Sequence, residues 1–308
     1  MKKFCSIGFC FIFLSSSAQI LSKDSTSDIF KVTLLGTGYP LPRIDRFGAS
    51  TLVQAGSTFL LFDAGRGCLI RLQQSKVTYD NLDAVFFTHL HSDHIVGFPD
   101  LWLTGWNVTK RAVPLNVFGP RGTRQMTDNL KEAYAFDIKT RIEDGRSPVA
   151  GSQLITTEIE EGVVYEKNGI KVIAFLVDHF PVVPAYGYRI EYKGHSVVIS
   201  GDTRYCPNLI KFAKGTDLLI HEVLIAPDTV SKSNKVYPAV AHHITPEQAA
   251  EVFDCVKPKV AVYTHIVEFF GATDEELLRR TKALYNGKVL VGKDLMSFII
   301  GDEVKVEE

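Results

Sequence analysis

Short apolar runs, each ended by a polar or turn-forming residue, recur along most of this chain. Runs of this length that are rich in β-branched and aromatic residues predict buried strands, and they occur at residues 30–35, 58–62, 84–87, 172–177, 196–200 and 260–264. Longer segments follow them that predict helices, at residues 123–135, 246–256 and 274–285. Residues 138–162 fit neither pattern well, and we expect them to form strands around a loop at 144–148. The pattern predicts one α/β domain over residues 30–308.

Histidine and aspartate side chains stand where several of these predicted strands stop. The run at 84–87 leads directly into Thr88-His89-Leu90-His91-Ser92-Asp93-His94. His179, Asp202 and His265 each follow a later apolar run. Neutral imidazoles and carboxylates bind divalent ions, and a turn at the end of a strand fixes the direction of the side chain. The sequence therefore predicts a metal site that is assembled from the ends of strands.

The His-x-His-x-Asp-His string at positions 89–94 resembles the metallo-β-lactamase superfamily, whose αββα sandwich binds one or two zinc ions. The resemblance implies a site with two divalent ions, of which zinc is the expected metal. It places His89, His91 and His179 on one ion. It places Asp93, His94 and His265 on the other, with Asp202 as the bridge between them. Iron or manganese can also occupy sites of this composition.

Further segments resemble the ribonuclease Z branch of that superfamily over most of residues 30–270. They are residues 34–38, 60–67, 178–179, 186–190, 221–222 and 243–250. In that branch a histidine beside the metals protonates the leaving group, and a glutamate orients it. The matching positions are His243 and Glu222, and we count Asp93 with them as catalytic. His242 adjoins His243 and stays open as the alternative acid.

Two features of the sequence argue against RNA as the substrate. Members of the branch that process tRNA carry a long arm, commonly between the third histidine and the bridging aspartate, whereas here only 23 residues separate His179 from Asp202. The formal net charge of -1 predicts no positive field that would attract a phosphate backbone. We therefore expect a small-molecule ester as substrate and no nucleic-acid partner. The oligomeric state is open, and a homodimer is compatible with the sequence.

Residues 88–106 are similar to the secreted, arylsulfatase-like subgroup of the branch, which predicts a hydrolase of sulfate esters that uses attack by metal-bound hydroxide. The first alternative is a phosphodiesterase of the same branch, acting on a cyclic nucleotide or another phosphodiester. A β-lactamase or lactonase of the same fold and a non-catalytic metal-binding protein are further alternatives. As substrate contacts we predict Trp106, where the helix after the metal motif ends, and Arg46, in the loop after Gly38.

The start of the chain predicts export. Lys2 and Lys3 precede an apolar stretch at 4–14, and Ser16 and Ala18 form a small-residue cleavage site. The pattern predicts a signal peptide over residues 1–18 and a flexible segment of the mature chain over residues 19–29. A bilayer span needs about 20 apolar residues, so the stretch is short for a retained anchor, which stays the alternative. We expect a secreted or periplasmic protein with no membrane contact after cleavage.

Overall fold

A computed structural model describes residues 29–227 and 241–307 of the chain. The predicted signal peptide and nearly all of the predicted flexible segment lie outside the described residues. Within them, no helix combines the length and the apolar character that a bilayer span requires.

Two β-sheets form the centre of the domain. The first has eight strands in the order β15-β14-β1-β2-β3-β4-β5-β6. Its strands are β1 (Phe30–Gly36), β2 (Ser50–Ala55), β3 (Thr58–Phe62), β4 (Leu82–Phe86), β5 (Leu115–Gly119), β6 (Leu154–Glu158), β14 (Ser297–Ile300) and β15 (Val304–Glu307). The second has seven strands in the order β13-β12-β11-β10-β9-β8-β7. Its strands are β7 (Gly162–Lys167), β8 (Ile170–Leu176), β9 (Tyr186–Tyr192), β10 (His195–Ile199), β11 (Leu218–Ile225), β12 (Val260–Glu268) and β13 (Val289–Val291).

Helices cover the outer faces of both sheets. They are α1 (Cys68–Gln74), α2 (Ser92–Ile95), α3 (Phe98–Asn107), α4 (Thr123–Ala133), α5 (Ala135–Glu143), α6 (Pro207–Ala213), α7 (Pro246–Val256) and α8 (Asp274–Lys282). One apolar cluster joins the two sheets, a second packs α6, α7 and α8 on the second sheet, and a third packs α1 and α3 on the first. This is the αββα sandwich that the sequence predicts.

Most predicted elements are confirmed, and one segment is wrong. Helix α7 begins as expected, because the Thr245 hydroxyl accepts from the Gln248 amide and the Gln248 side chain accepts from the Thr245 amide. Residues 138–143, however, are helical instead of extended, since they belong to α5. The structure describes α5 in full, and it contains no fully buried residue, because its apolar stripe is limited to the partly buried Ile138 and Ile142 and is easily missed in a sequence. An ion pair of 2.8 Å between Asp137 and Arg141, four positions apart, also supports it.

Candidate metal centre

The metal motif begins where β4 ends. Strand β4 lies between β3 and β5 and runs parallel to both, with its core residues fully buried. The chain then turns into α2, whose N-cap residue is His91, and the His94 amide donates to the His91 carbonyl at 3.1 Å. His89 and His91 therefore precede the turn, whereas Asp93 and His94 lie on the first helical turn. This geometry separates the two halves of the motif, as two neighbouring metal positions require.

His265 enters the cluster through a β-bulge. Strands β11 and β12 pair in parallel, with Glu222 opposite Thr264, but the next pair is Val223 with Ile266. His265 is thus the extra residue, and its φ of 41° is left-handed. A bulge re-aims a side chain out of the regular alternation of a strand. Its Nε2 atom lies 3.1 Å from Asp93 Oδ2.

Asp202 lies at the centre of the cluster. Its Oδ2 atom is 3.4 Å from His94 Nε2 and 3.4 Å from His265 Nε2. The same oxygen is 3.8 Å from His89 Nε2 and 3.9 Å from His179 Nε2. No other predicted side chain faces both halves of the cluster in this way, which is the position that a bridging carboxylate requires.

The structure brings all seven predicted ligand side chains together in two groups. The donor atoms in each group lie within 4.8 Å of one another. The first group comprises His89, His91, His179 and Asp202, and the second comprises Asp93, His94 and His265. His91 is the exposed member, whereas the other six are buried. The cluster is therefore closed on most sides and open to solvent beside His91.

Unpaired buried atoms show that these residues fit a metal. Within the described chain, His89 Nε2, His94 Nε2 and Asp202 Oδ1 are buried and have no hydrogen-bond partner. Buried polar atoms almost always have a hydrogen-bond partner, so a group of facing nitrogen and oxygen atoms without one is typical of a site that binds an ion. Imidazole nitrogens and carboxylate oxygens are the ligands that zinc and related divalent ions take. The cluster is suited to a divalent metal centre.

Protonation favours metal binding at His179, His89 and Asp202. Burial lowers the pKa of His179 to about 4, which leaves its imidazole neutral near pH 7. Burial, together with the neighbouring His94, also holds the pKa of His89 well below its usual value. Burial works against charge on Asp202, but the facing His265 and His94 hold the pKa of that carboxyl well below its usual range. Neutral imidazoles and an ionised carboxylate are the forms that coordinate metals. At His94 burial opposes charge, but the Asp202 and Asp63 carboxylates overcome it and hold the pKa of the imidazole well above its usual value, so a metal would have to displace a proton there.

Asp63 supports the cluster from behind, and the sequence analysis assigned it no role. Its carboxylate accepts from the Thr88 amide at 2.8 Å and from the Thr88 hydroxyl at 2.9 Å. It also lies 2.8 Å from His94 Nδ1. A carboxylate on Nδ1 fixes the tautomer of a histidine and leaves Nε2 free for a metal. The available signal was the position of Asp63 at the end of β3, next to β4 in the sheet.

His243 and Glu222 form a buried pair beside the cluster. His243 Nδ1 lies 3.1 Å from Glu222 Oε2, and Glu222 Oε1 accepts from the Ile244 amide at 3.0 Å. Burial opposes charge on the imidazole, but the Glu222 carboxylate overcomes it and raises the pKa of His243 to about 9. Burial raises the pKa of Glu222 as well. The pair therefore retains a proton at neutral pH.

His242 has a different position. Its Nδ1 atom donates to the Phe180 carbonyl at 2.6 Å, and its own carbonyl lies 3.0 Å from His179 Nδ1. The side chain is half-buried and is not among the groups of potential metal-binding atoms. Of the two candidate acids, the structure brings His243 to Glu222 and leaves His242 at the rim.

The two predicted substrate contacts do not lie at this site. Trp106 is completely buried, and its indole donates to the Pro148 carbonyl at 2.7 Å, so no substrate reaches it. The Arg46 guanidinium is bound at 2.6 Å to Asp274 and donates to the Gly292 carbonyl at 2.7 Å. Both side chains are committed to tertiary contacts that a sequence does not display, which argues against either as a substrate contact.

Comparison with known proteins places the chain in a family. Residues 58–266 match the family described as beta-lactamase superfamily domain. The ribonuclease Z of Mycobacterium marinum is 36% identical over 272 residues, which cover 87% of this chain and 97% of that protein. The chain belongs to the metallo-β-lactamase superfamily and, within it, to the ribonuclease Z-like branch. It is a metal-dependent hydrolase that acts on ester bonds.

Solved structures agree with the fold. The metallo-β-lactamase fold protein YhfI from Bacillus subtilis has a TM-score of 0.72 and 22% identity, with 89% of this chain and 100% of that chain covered. The short form of human tRNase Z has a TM-score of 0.62 and 23% identity, with 87% of this chain and 98% of that chain covered. At these identities the comparison establishes the shared architecture.

The comparisons overturn the predicted arylsulfatase function and the exclusion of nucleic acid. A relative at 36% identity is a ribonuclease Z, which favours a phosphodiester over a sulfate ester as the substrate. The missing arm was a poor criterion, because the alignment covers 97% of that ribonuclease and leaves it no long segment that this chain lacks. Net charge was a poor criterion too, since it averages over 308 residues and does not describe the surface around one site.

Proposed function

We propose that this protein is a phosphodiesterase that hydrolyses RNA, with the clustered histidine and aspartate side chains as its metal ligands. The observation that carries the proposal is the 36% identity to the Mycobacterium marinum ribonuclease Z across 97% of its length. At that level of identity over a whole chain, relatives commonly share the class of reaction. A phosphodiester and a sulfate ester carry the same single negative charge, so the metal site is chemically compatible with a phosphodiester substrate.

The site would hold divalent ions on the group of His89, His91 and His179 and on the group of Asp93, His94 and His265, with Asp202 facing both. Five of the seven proposed ligands are histidines, a nitrogen-rich set that suits zinc better than magnesium or calcium. When bound, such an ion pair lowers the pKa of a coordinated water and neutralises the negative charge that develops on the ester oxygens.

The protein side chains have separate tasks in this proposal. Asp202 and the histidines around it would hold the ions. Asp93, whose Oδ2 atom lies 3.1 Å from His265 Nε2, would be a ligand beside that imidazole. His243 donates a proton from Nε2 to the departing oxygen, because Glu222 occupies its Nδ1. Glu222 acts through His243 and is a positioning residue.

A panel of substrates tests the proposal. The purified protein, loaded with zinc, is incubated with a 5′-labelled single-stranded RNA, an RNA hairpin with a 3′ extension, 4-nitrophenyl sulfate and a β-lactam. We expect cleavage of at least one RNA, with fragments whose termini mass spectrometry identifies, and no turnover of the sulfate or the lactam. Turnover of the sulfate ester with both RNAs intact would contradict the proposal.

A separate proposal concerns location, and it rests on the sequence of residues 1–18 alone. The two lysines, the apolar stretch and Ala18 support export and cleavage before Gln19. N-terminal sequencing of protein isolated from its native source tests this proposal. A chain that still begins at Met1 would contradict it.

A further inference from the structure

An exposed aromatic ring lies on the solvent-open side of the metal centre. Phe180 directly follows the proposed ligand His179 and is 62% exposed. His91 is the exposed histidine of the cluster, His242 is half-buried, and the His91 ring lies 5.1 Å from the His179 ring. A substrate that approaches the cluster from solvent meets this side, and Phe180 is a large exposed apolar side chain in the segment that directly follows His179.

The backbone of Phe180 is held in place from several directions. Its carbonyl accepts from His242 Nδ1 at 2.6 Å and from Arg204 Nη2 at 3.5 Å. Its amide donates to Asp178 Oδ1 at 3.4 Å, and the turn closes where the Val182 amide donates to the His179 carbonyl at 3.0 Å. An exposed ring on such a fixed turn costs little conformational entropy when it binds a ligand.

Arg204 and His242, which bind the Phe180 carbonyl, are also close in sequence to Asp202 and His243 of the proposed site. Arg204 lies two residues after Asp202, and the Arg204 amide donates to the Asp178 carbonyl at 3.0 Å. His242 precedes His243, the proposed proton donor, and its carbonyl lies 3.0 Å from His179 Nδ1. The backbone of Phe180 is therefore positioned by residues that adjoin the proposed ligand Asp202 and the proposed proton donor His243.

From this placement we propose that Phe180 is a stacking platform for the base of the nucleoside that stays on the scissile phosphate. The inference rests on the proposed phosphodiesterase function. Every base has a flat face, and an exposed aromatic side chain binds it with little dependence on sequence. A nucleoside ester is therefore a better substrate than an alkyl ester with the same leaving group.

Two substrates with one leaving group test the platform. Adenosine 5′-(4-nitrophenyl phosphate) and methyl 4-nitrophenyl phosphate carry the same charge and release the same nitrophenolate. We expect the native protein to prefer the adenosine ester. In Phe180→Ala the ratio of the two kcat/KM values falls about tenfold, mainly through a higher KM for the adenosine ester. Phe180→Trp retains the preference, because the larger ring stacks equally well.

Phe136→Ala is the matched control, since Phe136 is 82% exposed on α5. It should leave the ratio unchanged. An unchanged ratio in Phe180→Ala, an equal loss for both substrates, or a Phe180→Trp variant that behaves like Phe180→Ala would each overturn the platform while the phosphodiesterase function stands. If the native protein cleaves neither ester nor RNA, the proposed function fails, and the platform fails with it.

Discussion

The Nδ1 atom of His243 lies 3.1 Å from Oε2 of Glu222, and this pair stands at the edge of the metal cluster. The other carboxylate oxygen of Glu222 accepts from the Ile244 and Thr203 amides at 3.0 and 3.3 Å. The carboxylate is thus fixed by backbone groups on two sides of the site. Because it occupies Nδ1, only Nε2 of the imidazole is available to a substrate.

Replacing His243 by alanine should lower kcat most for substrates whose leaving groups have a high pKa. General acid catalysis typically contributes about 10²–10⁴-fold, so an alkyl leaving group should lose activity in that range. A nitrophenyl leaving group needs little protonation and should lose much less. The measurement is kcat against leaving-group pKa for the native protein, for His243→Ala and for the milder Glu222→Gln.

His242→Ala is the internal control for this experiment, because its side chain contacts the Phe180 carbonyl instead of Glu222. Its activity should show no dependence on the leaving group beyond that of the native protein. If His243→Ala slows all leaving groups equally, His243 supports the metal site instead. If His242→Ala shows the selective loss, His242 is the acid.

Replacing Asp202 by alanine should remove most of the bound metal. The Asp202 carboxylate lies within 3.4–3.9 Å of His94, His265, His89 and His179, so it faces ligands of both groups. Elemental analysis of native protein should give two ions per chain, and the variant should hold far less. Asp144→Ala, at an exposed loop, is the control and should retain both ions. A variant that keeps both ions would refute the bridging role.

Asp63→Asn should weaken metal binding without removing a ligand. The asparagine oxygen can still accept from the Thr88 amide. Its NH₂ group, however, takes the place of Oδ2, the oxygen that contacts both the Thr88 hydroxyl and His94 Nδ1. Residues that orient metal-bound histidines typically contribute about 10–100-fold to metal affinity. Competition with a chromophoric chelator measures the change. An affinity equal to that of the native protein would show that His94 is oriented by other contacts.

The clustering of the proposed ligand side chains was predictable from sequence because each follows or lies within an apolar run that reads as a strand. The spacing of His89, His91, Asp93 and His94 is local, and a short apolar run precedes each of the later positions. The contacts of Asp63 were not predictable in the same way. They depend on β3 and β4 being neighbours in one sheet, which the order of residues along the chain does not specify.

The burial of individual side chains and the class of substrate were the features least well predicted from the sequence. Trp106 looked accessible because it stands near the end of a helix, yet it is completely buried, and Pro148 and Gly151 of the following loop lie against it. Arg46 looked free because its partner Asp274 is 228 residues away. The predicted sulfate-ester substrate was wrong for a chemical reason, because the metal ligands that activate an ester do not distinguish sulfur from phosphorus. Only the relatives made that distinction.

Arg46→Met should lower stability and leave catalysis alone. The guanidinium donates to both Asp274 oxygens and to the Gly292 carbonyl, and Arg46 is 7% exposed. Hydrogen bonds to charged groups contribute about 1.5–3 kcal/mol, which sets the expected loss in free energy of unfolding. Chemical denaturation measures it, and KM for a nitrophenyl phosphodiester should not change. A raised KM with unchanged stability would restore Arg46 as a substrate contact.

The most direct test of the account is RNA cleavage by native protein and by Asp202→Ala, each measured after metal removal and after zinc is restored. We predict that native protein cleaves RNA only when zinc is present, and that Asp202→Ala stays inactive under both conditions while its circular dichroism remains native. Equal cleavage by the metal-free native protein, or by folded Asp202→Ala, would contradict the claim that this metal centre hydrolyses RNA.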